Sequence, residues 1–218
     1  MPGFGTLTDT FDDGVRDPVL WAGSYGDVVE AGGRARVPCT TAFSAYQSAA
    51  TYTLEGAQVA CRVYPPAAGG AAAEALAELL VITSVGGTDG GFSLNAVTGQ
   101  LKLISRVGYA DPAEVVLAYD PAAHAWLRLR EASGVLLWET SPDGGMWTTR
   151  RTAPSPAWTA EANLSVILAG HRDSGSNDFC EFDNFNVLRR ARLTPASPAG
   201  AVLVPLKRSA PAMSGSPA

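Results

Sequence analysis

Three short runs of alternating residues, each with a tryptophan and separated by tight turns, fill Ala125–Arg151 and leave few folds open to this chain. In Trp126-Leu127-Arg128-Leu129-Arg130 the two leucines fall on one face of an extended strand, and the tryptophan and arginines fall on the other. Ser133-Gly134 turns the chain into Val135–Thr140, and Ser141-Pro142-Asp143-Gly144-Gly145 turns it again into Trp147–Thr152. Such a meander predicts an antiparallel sheet with one buried face and one face free for contacts. The free face is expected to be rich in Trp and Arg.

Similar runs recur along the chain. Asp27–Ala31 and Arg34–Cys39 flank Gly32-Gly33 as a hairpin, and Ser48–Leu54 and Gln58–Tyr64 flank Glu55-Gly56. Ala67–Ala77 allows one short helical turn before a buried strand at Leu79–Thr83. Gly90–Asn95, Gln100–Val107, Glu114–Tyr119, Asn163–Gly170 and Phe179–Leu188 read as further strands, and Leu7–Asp12 as the first. A dozen or more strands with no helix long enough to cover a sheet require two sheets that cover each other. The 218 residues, 46% hydrophobic and 17% charged, suffice for one such all-β domain with a real core.

The run W-L-R-L-R-E-x-x-G-x-L-x-W-E-T-S-P-D-G-x-x-W-T resembles a segment of concanavalin A-like lectin/glucanase (laminin-G-like) domains. The opening Leu7-Thr8-Asp9-Thr10-Phe11-Asp12-Asp13 with Trp21, and the closing Cys180-Glu181-Phe182-Asp183-Asn184-Phe185-Asn186-Val187, support the resemblance. It implies a two-sheet antiparallel jelly-roll sandwich over residues 1–188, with the first and last strands side by side. Many such domains occur in tail and surface proteins of actinobacteria and their phages. The expected setting is therefore a phage virion, as a minor tail or capsid-decorating structural protein made in the host cytoplasm.

Glucanases of this fold carry E-x-D-x-(x)-E, in which two glutamates act as nucleophile and acid/base. Here Glu181-x-Asp183 lacks the second glutamate, so the sequence is read as non-enzymatic, with no catalytic residue assigned. Trp126, Arg128, Arg130, Trp138 and Trp147 are the candidate glycan contacts, aromatic faces meeting sugar rings and Arg reading hydroxyls. The alternative for each tryptophan is a place in the core. Asp9, Asp12, Asp13 and Asp183 converge if the first and last strands are neighbours, and hard oxygen ligands of this kind suit Ca2+. Otherwise they are solvated edge acids.

From Arg189 onward the composition changes to proline and small residues, with five basic residues and no acid, leaving eleven basic against 21 acidic residues before it. That body is too acidic for a nucleic-acid binder. Residues 189–218 read as an extended arm, with Arg189, Arg190, Arg192, Val202, Leu203, Val204 and Leu206 docking onto other virion or tail subunits. A host cell-surface glycan and further copies of the chain are the other expected partners. Met1–Gly5 lacks the basic and apolar segments of a leader, and no apolar run is long enough for a membrane span. The odd cysteine count, Cys39, Cys61 and Cys180, favours buried thiols over a Cys39–Cys61 bridge.

Overall fold

A computed structural model describes residues 1–188 and shows a concanavalin A-like jelly-roll sandwich of two antiparallel sheets. The strands are β1 (Val29–Glu30), β2 (Ala35–Cys39), β3 (Ser44–Gln47), β4 (Gln58–Tyr64), β5 (Ala75–Ile82), β6 (Asp89–Asn95) and β7 (Gln100–Arg106). They continue with β8 (Val115–Ala118), β9 (Trp126–Ala132), β10 (Val135–Ser141), β11 (Thr148–Pro154), β12 (Ser165–Arg172) and β13 (Asp178–Asp183). One sheet runs β1-β2-β13-β4-β9-β10-β11 and the other β3-β12-β5-β6-β7-β8.

The tryptophan meander forms as the alternation requires. Ser133 and Gly134 both take positive φ, 53° and 81°, the geometry of a two-residue hairpin turn, and β9 pairs β10 without a slip. Leu127, Leu129 and Leu136 enter the core beside Val59 and Val63 of β4. The facing sheet contributes Leu79, Val81, Phe92, Leu94, Leu101, Leu103, Val166 and Leu168.

Several expectations change. Leu7–Asp12 is not a strand: only Asp9 bridges the last segment, at Phe185, because Phe4, Leu7, Phe11 and Trp21 all turn inward as a plug. Trp21 Nε1 donates to Asp9 Oδ2 at 2.7 Å, which fixes that plug. Ser48–Leu54 contributes only isolated bridges, Tyr52 to Leu164 and Thr53 to Gly3, and the strand lies earlier, at β3. Ala67–Ala77 forms no helical turn; β5 begins at Ala75 and runs longer than the apolar segment alone suggested. The three cysteines are free and buried.

Trp138 departs furthest from expectation. It is fully buried, and its indole Nε1 donates across the core to Gly91 O at 2.9 Å and Ile104 O at 3.2 Å. Arg151, buried one strand over, stacks on the ring at 4.4 Å and donates to Leu103 O and Asp111. Removing such a donor leaves buried carbonyls unpaired, which costs about 1–3 kcal/mol. Trp138→Phe should therefore lower unfolding free energy by about 2 kcal/mol in urea titrations, whereas Trp147→Phe should change it by less than about 0.5 kcal/mol.

Candidate functional site

The outer face of the six-stranded sheet holds the main concentration of chemistry. Alternation along β5 turns Leu76, Glu78, Leu80 and Ile82 outward while Ala77, Leu79 and Val81 fill the core. A second, smaller apolar cluster of Ala45, Leu80, Ile104, Ile167 and Ala169 lies there, outside the core between the sheets. Two adjoining hollows of about 320 and 290 Å³ share Leu76, Glu78 and Arg106 in their linings and together make one groove across the strands. Tyr25, Phe43 and Tyr109 line its rim with exposed rings, and Phe43 stacks on His171 with centroids 4.1 Å apart.

Glu78 is the buried acid of this groove. It stands opposite Ser93 on β6 and Ala169 on β12 and is only 8% exposed. Burial raises its pKa above the ordinary carboxylate range, and Asp89 and Glu74 add to the rise; a hydrogen bond with Ser93 and the charge of Arg106 oppose it. Asp89 and Arg106 form a two-point ion pair, Nε to Oδ1 at 2.8 Å and Nη2 to Oδ2 at 2.9 Å. Lys102 pairs with Glu114 at 3.2 Å, and His171 Nε2 lies 3.5 Å from Glu74. A buried carboxyl whose pKa is raised, beside a fixed ion pair, is suited to exchange a proton or a hydrogen bond with a ligand oxygen.

A larger hollow of about 590 Å³ lies between the first turn and the β9–β10 turn. Its inner carboxylate, Glu131, already accepts from Gly56 N, Gly134 N and Ser155 Oγ. It holds the turns together and has little capacity left for a ligand.

The expected glycan contacts divide between two places. Trp138 is in the core and reaches neither surface. Trp126 faces outward but is 3% exposed, because the loop from Ser141 to Trp147 covers it. Gly144 in that loop has φ +75°, and a Cβ there would lie 2.9 Å from Trp126 Cε2. Arg128, Arg130 and Trp147 do share the outer face of the seven-stranded sheet. Both arginines bond to Glu139, and Arg128 stacks on Trp147 at 4.1 Å.

The expected Ca2+ ligands do not converge. Asp9 is held by Phe11 N and Trp21 Nε1, and Asp13 by Val15 N. Asp12 and Asp183 are close enough to interact, but among the described residues no three metal-ligating side chains form a group. Arg189, Arg190, Arg192, Val202, Leu203, Val204 and Leu206 lie outside the described residues.

Glu74, Glu78, Asp89 and Arg106 were missed in the sequence. A strand read from Leu79 begins one residue past Glu78, and a helical turn over Ala67–Ala77 takes in Glu74. The available signal was a glutamate inside an apolar strand, since charged residues are rarely buried without a purpose.

No protein-family profile and no curated protein sequence matches the chain. Solved structures do. The catalytic domain of an endo-1,3-beta-glucanase (laminarinase) from Thermotoga petrophila RKU-1 is similar at a TM-score of 0.61 and 11% identity, over 82% of this chain and 94% of that one. A beta-1,3-1,4-glucanase (lichenase) derived from a mouse hindgut metagenome gives 0.60 and 12%, over 82% and 96%. A non-specific endo-beta-1,3(4)-glucanase from family GH16 gives 0.57 and 10%, over 82% and 88%. The fold is that of these glucanases.

These neighbours overturn the expectation that the chain is not an enzyme. That expectation rested on the incomplete pattern at Glu181, which lies in the seven-stranded sheet, away from the groove, in ion pairs with Arg34 and Arg36. Its missing second glutamate therefore says nothing about the groove.

Asp89 raises the pKa of Glu78 directly and also occupies Arg106, so Asp89→Asn removes one raising influence and frees one lowering influence. Carboxyl-carbon NMR titration should place Glu78 above the usual glutamate range in the wild type and shift it down in Asp89→Asn. An unchanged titration would show that burial alone sets it.

Proposed function

We propose that the groove on the six-stranded sheet binds a strand of β-linked polysaccharide. The carrying observation is the combination of apolar floor, exposed Tyr25, Phe43 and Tyr109 on the rim, and Glu78 beneath. Flat rings and an apolar floor suit the carbon faces of pyranose units, and Ser93, Asn95, Gln100 and Lys102 suit their hydroxyls. Support for a β-glucan comes from the neighbours, which are named as 1,3- and 1,3-1,4-glucanases.

A second reading, glycoside cleavage, is favoured by Glu74 and Glu78. They share one face of the same stretch, four residues apart, the spacing of the two glutamates in E-x-D-x-E, with Leu76 in the aspartate position. Glu78 would protonate the leaving glycosidic oxygen, and Glu74 would attack the anomeric carbon or activate water toward it.

Affinity electrophoresis and calorimetry with 1,3- and 1,3-1,4-β-glucans test binding. The double variant Tyr25→Ala, Tyr109→Ala should weaken it about tenfold or more, since each ring contributes on the order of 1 kcal/mol. Absence of binding to any polysaccharide in a broad panel would sink the proposal. If cleavage occurs, new reducing ends appear and Glu78→Gln abolishes them while leaving binding intact.

The virion setting is also proposed, on the sequence resemblance, with residues 189–218 as the attachment to tail or capsid subunits and a host-surface glycan as the ligand presented to the groove. It predicts co-purification with phage particles and loss of incorporation on truncation after Leu188. Truncated chains that stay on particles would overturn the role of the arm.

A further inference from the structure

The outer face of the seven-stranded sheet, opposite the groove, carries five arginines on three of its strands or at their ends: Arg34 and Arg36 by β2, Arg62 on β4, Arg128 and Arg130 on β9. Four of the five guanidinium groups lie over rings. Arg34 and Arg62 stack on Tyr64 at 3.7 and 4.8 Å, Arg36 on Phe179 at 4.3 Å, and Arg128 on Trp147 at 4.1 Å. The carboxylates on this face, Glu181, Glu139 and Asp183, are fewer than the cations; Asp183 stands opposite Arg62 in the ladder and near Arg34. Glu181 is shared by Arg34 and Arg36, and Glu139 by Arg128 and Arg130. Arg62 is in no ion pair among the described residues.

We infer that this face is a second binding site, for an acidic polysaccharide whose carboxylate or sulfate groups meet the arginine row. A stacked guanidinium keeps its N–H edge directed outward in a fixed plane, which suits two-point bonding to a planar carboxylate. Adjacent strands are ~4.8 Å apart, so β2 to β9 is about 14 Å, enough for several sugar units lying across the strands. Single-stranded nucleic acid fits less well, because Tyr64, Phe179 and Trp147 already have guanidinium groups over them and offer bases little to stack on. Duplex binding needs more phosphate contacts than five arginines, four of them already in ion pairs, supply. The inference does not depend on the groove, which lies on the other sheet.

Calorimetry of the full chain with polygalacturonate, with neutral dextran and a mixed-sequence oligonucleotide as comparisons, provides the test. Polygalacturonate should bind, dextran should not, and affinity should fall at least tenfold between 50 and 300 mM salt. Arg62→Glu breaks no ion pair and should weaken polygalacturonate binding at least tenfold, with the fold retained and a melting temperature only slightly lowered, since the new carboxylate stands opposite Asp183. Glu78→Gln should leave it as in the wild type. The site is overturned if Arg62→Glu binds normally while replacing Arg189, Arg190 and Arg192 removes binding, which would place the anion on the arm. The ligand class is overturned if the oligonucleotide binds as tightly as polygalacturonate. Full retention of β-glucan affinity in Arg62→Glu keeps the two sites distinguishable.

Discussion

The hydrogen bonds from Trp138 across the core tie together everything above them. With no α-helix among the described residues to cover either sheet, the two cover each other, and a directional bond adds to the side-chain packing between them. The indole N–H on β10 reaches two carbonyls of the facing sheet, Gly91 on β6 and Ile104 on β7, and so fixes one sheet's position against the other. Arg151 repeats the tie through Leu103 and Asp111. Both carbonyls belong to strands that form the groove, so the core contact also sets the groove's floor.

The sandwich was legible because its signals are local. Alternation in Trp126–Arg130, the Ser133-Gly134 turn and the closing Phe182-Asp183-Asn184 each constrain a few neighbouring residues, and most strands fall within a residue or two of where those signals put them. Leu7–Asp12 misled because its alternation serves an inward plug and not a ladder. Trp138 stands two residues from Leu136 on β10 and so shares its inward face, opposite to Leu137. The site was much less legible. Glu78, Asp89, Arg106 and Tyr109 come from three strands and a loop, and only the order β5-β6-β7 brings them together.

The two outer faces divide the chemistry by charge. In the groove, Asp89 and Arg106 neutralise each other one to one, and burial raises the pKa of Glu78, an arrangement that favours ligands rich in hydroxyls. On the opposite face Glu181 and Glu139 are each shared by two arginines, and with Asp183 opposite Arg62 the five arginines still outnumber the carboxylates, although the body as a whole is acidic. A net charge taken from composition averages these faces away.

Gly91 has φ +150°, and a side-chain carbon there would lie 2.1 Å from the carbonyl oxygen of Leu79. Variation at this position is therefore closed: any side chain would part β5 from β6 and pull away the carbonyl that Trp138 holds. Tyr25 and Phe43 lie outside the core between the sheets and carry no such constraint, whereas Tyr109 stands at φ 69°, which narrows what can replace it. Descendants of this chain can exchange rim residues, and with them ligand preference, while inheriting the floor unaltered.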